Sequence, residues 1–423
     1  MEWQYHLTMN HRNEAHNKKS LVEVLMMRYV TSFVFIMLCT FILVVNISET
    51  ASAESVNDQP KRKAELLLKD FPAAVAKTAN TGLTFPYPDA VRGIYVSGSA
   101  AGSNRFNELI KFLKQNDLNT MVIDFKEDSG KLVYKPAKGS PLFAAGSNKI
   151  KSIPVMLRKL EKEQIYPIAR IVVFKDSHLA YKRPEWTFRN KGEVWRNERK
   201  EAFINPFVKE VWDYNIAAAV EAAKLGFQEI QFDYVRFPEG FEKKGANLSY
   251  SKGDYGKLKI SEGQKRVKAV SDFVKYAKDK LEPYDVKVSV DIFGYTAMLE
   301  EAPGIGQNFT EISKNVDVIS SMIYPSHWGS YFGISKPDLE PYRLVNAYMK
   351  LEQKKLTSLK NPPISRPWIQ DFTAAYLGKG NYQPYGKMQV EAQIKALYAN
   401  GVREFLLWNA GCNYTNNVNY KMK

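Results

Sequence analysis

Eight short apolar runs recur along the chain, and in most of them apolar and polar residues alternate with a period of two. The residues from Ile230 to Tyr234 alternate in this way, with Asp233 on the polar face. Such alternation predicts β-strands whose two faces meet different surroundings. The predicted strands span residues 93–97, 120–125, 166–174, 229–235, 287–293, 316–324, 367–372 and 404–408.

Helical patterns lie between the predicted strands, most clearly in residues 105–115, 150–164, 208–225 and 389–400. Repeated alternation of strand and helix predicts an α/β fold, the (β/α)8 TIM barrel, rather than a doubly wound sheet. The segment 98–102 after the first strand, GSAAG, is too loose a match to a glycine-rich phosphate loop, which argues against a dinucleotide-binding fold. We therefore expect a barrel over residues 90–415, followed by a tail, 416–423.

The first 89 residues carry a different pattern. The uncharged, largely apolar run 29–47 follows Arg28 and precedes Ala51-Ser52-Ala53, the layout of a secretory signal, although an uncleaved membrane anchor has nearly the same features. We expect residues 1–53 to be a leader with a signal peptide or anchor, with the natural start at Met26 or Met27. A charged, helical extension and linker should fill residues 54–89. The protein is thus expected to be secreted or held at the cell surface, touching a membrane only through this N-terminal segment.

The net charge indicates which class of molecule the protein is expected to bind. The net charge of +15 favours contact with a polyanion. An exported protein meets anionic cell-wall polymers before nucleic acid, for which no binding motif is present.

Of the two cysteines, Cys39 lies in the apolar run, so removal of the signal leaves Cys412 alone. One thiol forms no internal disulfide and no cysteine metal cluster, so the domain depends on its core for stability.

Functional side chains of a TIM barrel lie where its strands end, on the carboxyl-terminal face. Several acids, bases and aromatics occupy these positions, and each has a structural alternative as an ion-pair partner or a core residue. Asp124 or Asp371, for instance, can pair with Arg170 or Arg236. The candidate set is Asp124, Glu127, Arg170, Asp176, His178, Asp233, Arg236, Asp291, Tyr324, His327, Trp328, Asp371, Trp408 and Asn409.

Asp233 and Asp291 stand out because they end neighbouring strands with the same alternation, so both should point into the mouth of the barrel. Two facing carboxyl groups are what glycoside hydrolysis requires, one protonated to assist the leaving oxygen and one ionised to attack the sugar or activate water. Four aromatic residues lie at or near strand ends too, where their rings can stack on sugars or pack in the core: Tyr324, Trp328, Trp368 and Trp408.

Seven motifs along residues 90–415 together resemble the glycosyl hydrolase domain of a bacterial family related to amylase-like and chitinase-like barrels. They are RGIYVSGSAAG, VIDFKEDSG, ARIVVFKD, FDYVRFP, VSVDIFGY, MIYPSHWG and LLWNAG. In amylase-like barrels the acid ending strand four is the nucleophile, which the resemblance carries to Asp233. Asp291 stands where those enzymes have a glutamate acid catalyst. MIYP is similar to the strand-six segment of chitinase-like barrels and contains Tyr324, but their strand-four DxxDxDxE signature is missing.

The sequence thus predicts a glycoside hydrolase that cleaves a cell-wall or extracellular polysaccharide, with Asp233 as nucleophile or base and Asp291 as acid. Arg236, His327 and Asp371 are expected to orient the substrate. A glycan-binding protein on a barrel without catalysis is the alternative. A metal-dependent deacetylase is disfavoured because His178 and His327 follow different strands and have no paired spacing for zinc, so neither metal nor cofactor is expected.

Overall fold

A computed structural model describes residues 81–422, which contain the barrel. The predicted leader, signal and helical extension lie outside the described residues, apart from 81–89 of the linker. The eight barrel strands are β1 Arg92–Val96, β2 Thr120–Lys126, β3 Tyr166–Val172, β4 Glu229–Asp233, β5 Lys287–Phe293, β6 Val318–Met322, β7 Trp368–Gln370 and β8 Phe405–Trp408.

All neighbouring strands of the barrel are parallel, in the order β7-β8-β1-β2-β3-β4-β5-β6. The ring closes where Trp368 of β7 pairs with Met322 of β6, and the short strand Ile364–Ser365 extends that seam. This closed arrangement confirms the predicted TIM barrel. The alternation in β4 is also observed, because Phe232 packs outward on Phe273 while Gln231 donates inward to Ser320 Oγ.

Seven helices surround the strands, and their ends follow local sequence signals. The second begins at Ile153 rather than at residue 150, because Ser152 accepts from the Val155 N–H and Pro154 lies in its first turn. The fourth, fifth and sixth helices were not among the four clearest predicted patterns. The helices are α1 Arg105–Gln115, α2 Ile153–Lys162, α3 Lys209–Leu225, α4 Glu262–Leu281, α5 Phe309–Ser313, α6 Pro341–Leu356 and α7 Lys387–Ala399.

Three further short helices, Gly98–Ala101, Ser177–Lys182 and Phe241–Lys244, lie in the loops that follow β1, β3 and β4. Within residues 81–422, no helix combines the length and apolar character needed to cross a bilayer.

Several predicted strands end earlier than their apolar runs. The run that contains β4 continues to Val235, but the strand stops at Asp233 because Tyr234 takes a positive φ of 51°. That left-handed conformation breaks the extended backbone and turns the chain at the mouth.

Long loops follow β3 and β4 and pack against each other. Backbone hydrogen bonds join Arg189 and Ser249 in both directions, and a hairpin of Arg189–Asn190 with Glu193–Val194 projects from the first loop. Aromatic side chains fill the space between the loops: Phe188, Phe207, Phe237, Phe241 and Tyr250. The two loops therefore form one supported wall beside the barrel.

The amino-terminal end of the barrel is sealed by a buried ion cluster. Arg366 is fully buried and donates to Glu229 and Glu404, with N–O distances of 2.7 and 2.8 Å. Tyr87, from the segment before β1, accepts from Arg366 and donates to Glu404. The polypeptide thus enters the barrel across the face opposite the mouth.

We expect Arg366→Ala to lower the free energy of unfolding by ~3–5 kcal/mol, because it leaves buried carboxylates without their partner. Urea unfolding followed by circular dichroism measures this. Arg343→Ala is the matched control, since Arg343 pairs with Glu340 on the surface of α6 and should cost less than ~1 kcal/mol. Equal losses in the two variants would contradict the proposed importance of the buried cluster.

Candidate functional site

Arg170 lies at the centre of the barrel mouth. It points inward from β3, is 2% exposed, and contacts three carboxylates. Nη1 donates to Asp124 at 2.6 Å, Nε and Nη2 donate to one oxygen of Asp233 at 3.0 and 2.6 Å, and Nη2 reaches Asp128 at 3.1 Å. Burial alone lowers an arginine pKa, but these carboxylates outweigh it, so the pKa rises and the guanidinium remains charged.

Asp233 accepts hydrogen bonds on both of its oxygens. Oδ2 receives the two bonds from Arg170, and Oδ1 accepts the backbone N–H of Tyr234 at 2.6 Å. Because an ionised carboxylate is purely an acceptor, this set of donors suits Asp233 as an anion.

Asp291 has very different surroundings. It is 2% exposed, and Trp368 Nε1 donates to its Oδ1 at 2.8 Å. Burial, followed by the negative charge of Asp233, raises the pKa of Asp291 well above its usual range. The register pairs Phe232 with Val290, so Asp233 and Asp291 each stand one residue further along neighbouring strands. The two carboxyl groups therefore have different surroundings: Asp233 accepts donors on both oxygens, whereas Asp291 is buried and accepts one.

Asp124 is the third buried acid of the mouth. Asp124 accepts from the hydroxyl of Tyr95 at 2.6 Å as well as from Arg170. Burial raises the pKa of Asp124 to about 6, although Arg170 opposes that shift. Asp128 is half-exposed; burial acts to raise its pKa, but Arg170 and Lys175 outweigh burial and lower it to about 2.

Aromatic side chains cover the other half of the mouth. Tyr324 is buried beside both candidate catalytic acids, and burial, followed by the charges of Asp291 and Asp233, raises its pKa. The rings of His327 and Trp408 lie 5.1 and 6.3 Å from that of Tyr324. Burial lowers the pKa of His327 to about 4, so its imidazole is neutral above that pH. This side of the mouth offers uncharged groups to a ligand.

The structure brings together seven of the residues that the sequence singled out, with Tyr324, His327 and Trp408 lining one side and four ionisable groups the other. The ring centroid of Trp408 lies 4.3 Å from that of Tyr95, with the two rings tilted, and 5.6 Å from the guanidinium carbon of Arg170. The ionisable members of this group are Asp124, Arg170, Asp233 and Asp291.

Other predicted residues have contacts away from this group. Glu127 pairs with Lys149 at 2.6 Å, and fully buried Asp176 pairs with Lys126 and caps the helix Ser177–Lys182. The hydroxyl and the backbone N–H of Thr415 both donate to the carboxylate of Asp371. These contacts support the loops around the mouth.

Arg236 and Trp328 are also held by local packing. The guanidinium of Arg236 lies over the ring of Phe293 and pairs with Glu239 at 2.9 Å. Trp328 is 2% exposed and packs against Tyr348 of α6, behind the mouth. Its position is that of a core residue.

Sequence reasoning missed several groups at the mouth. Tyr95 is the donor to Asp124, and Lys175 pairs with Asp128 and Glu201 at 3.0 and 2.6 Å. Lys175 and Asp128 follow strand ends, so the criterion used for the other candidate residues could have identified them. Glu201 lies far along the loop after β3, and only the folding of that loop brings it to the mouth.

Within residues 81–422, no group of three or more His, Cys, Asp or Glu side chains has an arrangement suited to a metal ion.

A sequence profile of the family described as "putative glycosyl hydrolase domain" matches residues 93–414. The matched segment starts at the second residue of β1 and extends beyond β8, so it includes the site. No protein of curated function matches the chain.

Solved structures share the barrel. The PgaB (BpsB) glycoside hydrolase domain of Bordetella bronchiseptica is 15% identical, with a TM-score of 0.53 over 76% of this chain and 94% of that domain. A β-galactosidase from the psychrophilic Marinomonas ef1 is 11% identical, with a TM-score of 0.51 over 75% of this chain and 53% of its own. A hypothetical protein of Ruminiclostridium thermocellum ATCC 27405 is 28% identical over 47% of this chain and 96% of its own, with a TM-score of 0.41. The first two show the shared TIM-barrel fold.

We expect Asp291→Asn to stabilise the protein increasingly as pH rises above 4. The pKa of Asp291 is higher in the folded than in the unfolded state, so its contribution to stability is present below the unfolded pKa and is lost as pH rises through the folded pKa. Each unit of that difference corresponds to about 1.4 kcal/mol. Asparagine keeps the acceptor for Trp368 and has no charge to bury.

The measurement is the free energy of unfolding of both proteins at pH 4 and pH 7. Asp285→Asn, on an exposed turn, controls for the loss of one negative charge. A gain that is the same at both pH values would show that Asp291 ionises as readily in the folded state as in the unfolded chain.

Proposed function

This chain belongs to the family of putative glycosyl hydrolase domains, and from that membership we propose that it hydrolyses glycosidic bonds with Asp233 and Asp291 as its catalytic pair. The observation that carries the proposal is the contrast between these neighbours. Arg170 and a backbone N–H donate to Asp233, whereas burial and the charge of Asp233 raise the pKa of Asp291. A glycosidase needs one ionised and one protonated carboxyl group.

In the proposed reaction, Asp291 donates its proton to the departing glycosidic oxygen as the bond to the sugar breaks. Asp233 supplies the electron pair, either by bonding to the sugar carbon or by removing a proton from the attacking water. Arg170 holds the Asp233 carboxylate in place throughout. Asp124, kept oriented by Tyr95 and Arg170, is placed to accept hydrogen bonds from sugar hydroxyl groups.

We propose a polysaccharide of the cell wall or the extracellular matrix as the substrate. The uncharged side of the mouth, with Tyr324, His327 and Trp408, suits apolar sugar faces and their hydroxyl groups. Membership of a family described as a glycosyl hydrolase domain supports a sugar substrate. The net charge of +15 supports residence near anionic wall polymers.

A screen of wall-derived polysaccharides for released reducing ends tests the activity, with two variants to separate the roles. We expect Asp233→Asn to lower kcat by ~10²–10⁴-fold or more on every substrate. Asp291→Asn should lose a similar factor on polysaccharide but retain much of its activity on 2,4-dinitrophenyl glycosides, because dinitrophenolate departs without a proton.

Asp279→Asn, an exposed carboxylate on α4 paired with Lys275, is the matched control and should behave as wild type. Full activity in Asp233→Asn would overturn the assignment. Binding of oligosaccharides by the wild type without any release of reducing ends would favour the non-catalytic glycan-binding alternative.

We also propose that the protein is exported through its N-terminal segment. The apolar run 29–47 and the small residues Ala51-Ser52-Ala53 support processing before Glu54. Expression of the full chain in a bacterial host, followed by N-terminal sequencing of the surface and medium fractions, should give a protein beginning at Glu54. Ala53→Arg is the control and should block cleavage. An unprocessed protein confined to the cytoplasm would contradict export, and an unprocessed protein at the surface would identify an anchor.

A further inference from the structure

Trp368 occupies an unusual place among the aromatics of the mouth. The sequence placed it among the rings that could stack on a sugar, but it is 1% exposed and presents no face to a ligand. A buried indole N–H requires an acceptor, because leaving it without one is costly. Here the acceptor is Oδ1 of Asp291, at 2.8 Å.

We propose that Trp368 is a positioning residue for the catalytic acid, which fixes the carboxyl plane of Asp291 and directs its transferable proton to Oδ2. The proposal rests on the glycosidase function proposed above. A carbonyl oxygen is a better acceptor than the hydroxyl oxygen of a carboxylic acid, so the N–H favours Oδ1 as the carbonyl. Among the described residues, Trp368 is the one hydrogen-bond partner of Asp291, which leaves Oδ2 for the substrate.

The indole is itself firmly held. Its ring meets Trp408 edge to face, with centroids 5.5 Å apart. The Trp368 backbone pairs with Leu406 of β8 on one side and with Met322 of β6 on the other, and its carbonyl accepts from the Ile323 N–H. A donor anchored on both neighbouring strands cannot follow a rotation of the Asp291 carboxyl group, so it restricts that rotation.

The same hydrogen bond affects the acidity of Asp291. Burial and the charge of Asp233 raise its pKa, and the bond from Trp368 acts in the opposite direction because it stabilises the carboxylate left after proton transfer. Loss of the N–H should therefore raise the pKa of the acid further and weaken it as a proton donor.

The experiment compares Trp368→Phe with the wild type in the full chain. We expect the alkaline limb of kcat/KM to move up by about one pH unit. We also expect kcat to fall by about tenfold or more for substrates with poor leaving groups and to change little for dinitrophenyl glycosides, with KM nearly constant. This dependence on the leaving group is specific to a damaged proton donor.

Trp212→Phe is the matched control. Trp212 is equally buried, on α3, and its indole N–H donates at the same distance of 2.8 Å to the Pro206 carbonyl. It should lose comparable stability and keep the wild-type pH profile. Replacement of Trp368 by 3-benzothienylalanine, which keeps the shape of the ring and lacks the N–H, reproduces the expected shift if Trp368→Phe does not fold.

The outcomes separate the two proposals. A wild type without hydrolytic activity overturns the glycosidase function and the role of Trp368 with it. An active wild type whose position-368 variants lose activity equally for all leaving groups, with no shift of the alkaline limb, overturns the positioning role alone. A shift of the limb in the Trp212 control would also overturn it, because stability rather than the hydrogen bond would then be its cause.

Discussion

The mouth of this barrel depends on the ion cluster around Arg170. Without its guanidinium, Asp124, Asp128 and Asp233 would bring three negative charges into a space from which water is largely excluded, and at least one of them would take up a proton. Arg170 offsets that repulsion. Asp291 accepts no hydrogen bond from it, and burial raises the pKa of Asp291 well above its usual range. One buried cation thus holds three carboxylates of the mouth and leaves the fourth in different surroundings.

Much of this arrangement could be predicted from sequence, because it follows from periodicity. Alternation in the apolar runs gave the barrel and placed Asp233 and Asp291 on the inward faces of adjacent strands. Local backbone conformation was harder to foresee: the positive φ of Tyr234 ends β4 two residues early in a run that continues to Val235. Nothing in the identity of a tyrosine predicts a left-handed residue.

Side-chain partners were the least predictable part of the site. Arg170 was expected to pair with one acid but contacts three, and Trp328 packs against α6 although its position after β6 resembled that of a ligand-facing ring. Partner choice depends on distances across the barrel, which a strand pattern does not contain. Glu201 shows the limit most clearly, because a long folded loop carries it to Lys175.

The shortness of β7 has a consequence for how the molecule responds to heat. This strand has three residues and pairs with β6 at one position, Trp368 with Met322. The residue in that pair, Trp368, is also the donor to Asp291. Separation of this one pair would displace the indole from Asp291 without unfolding a helix, so the site can lose its geometry on heating before global melting.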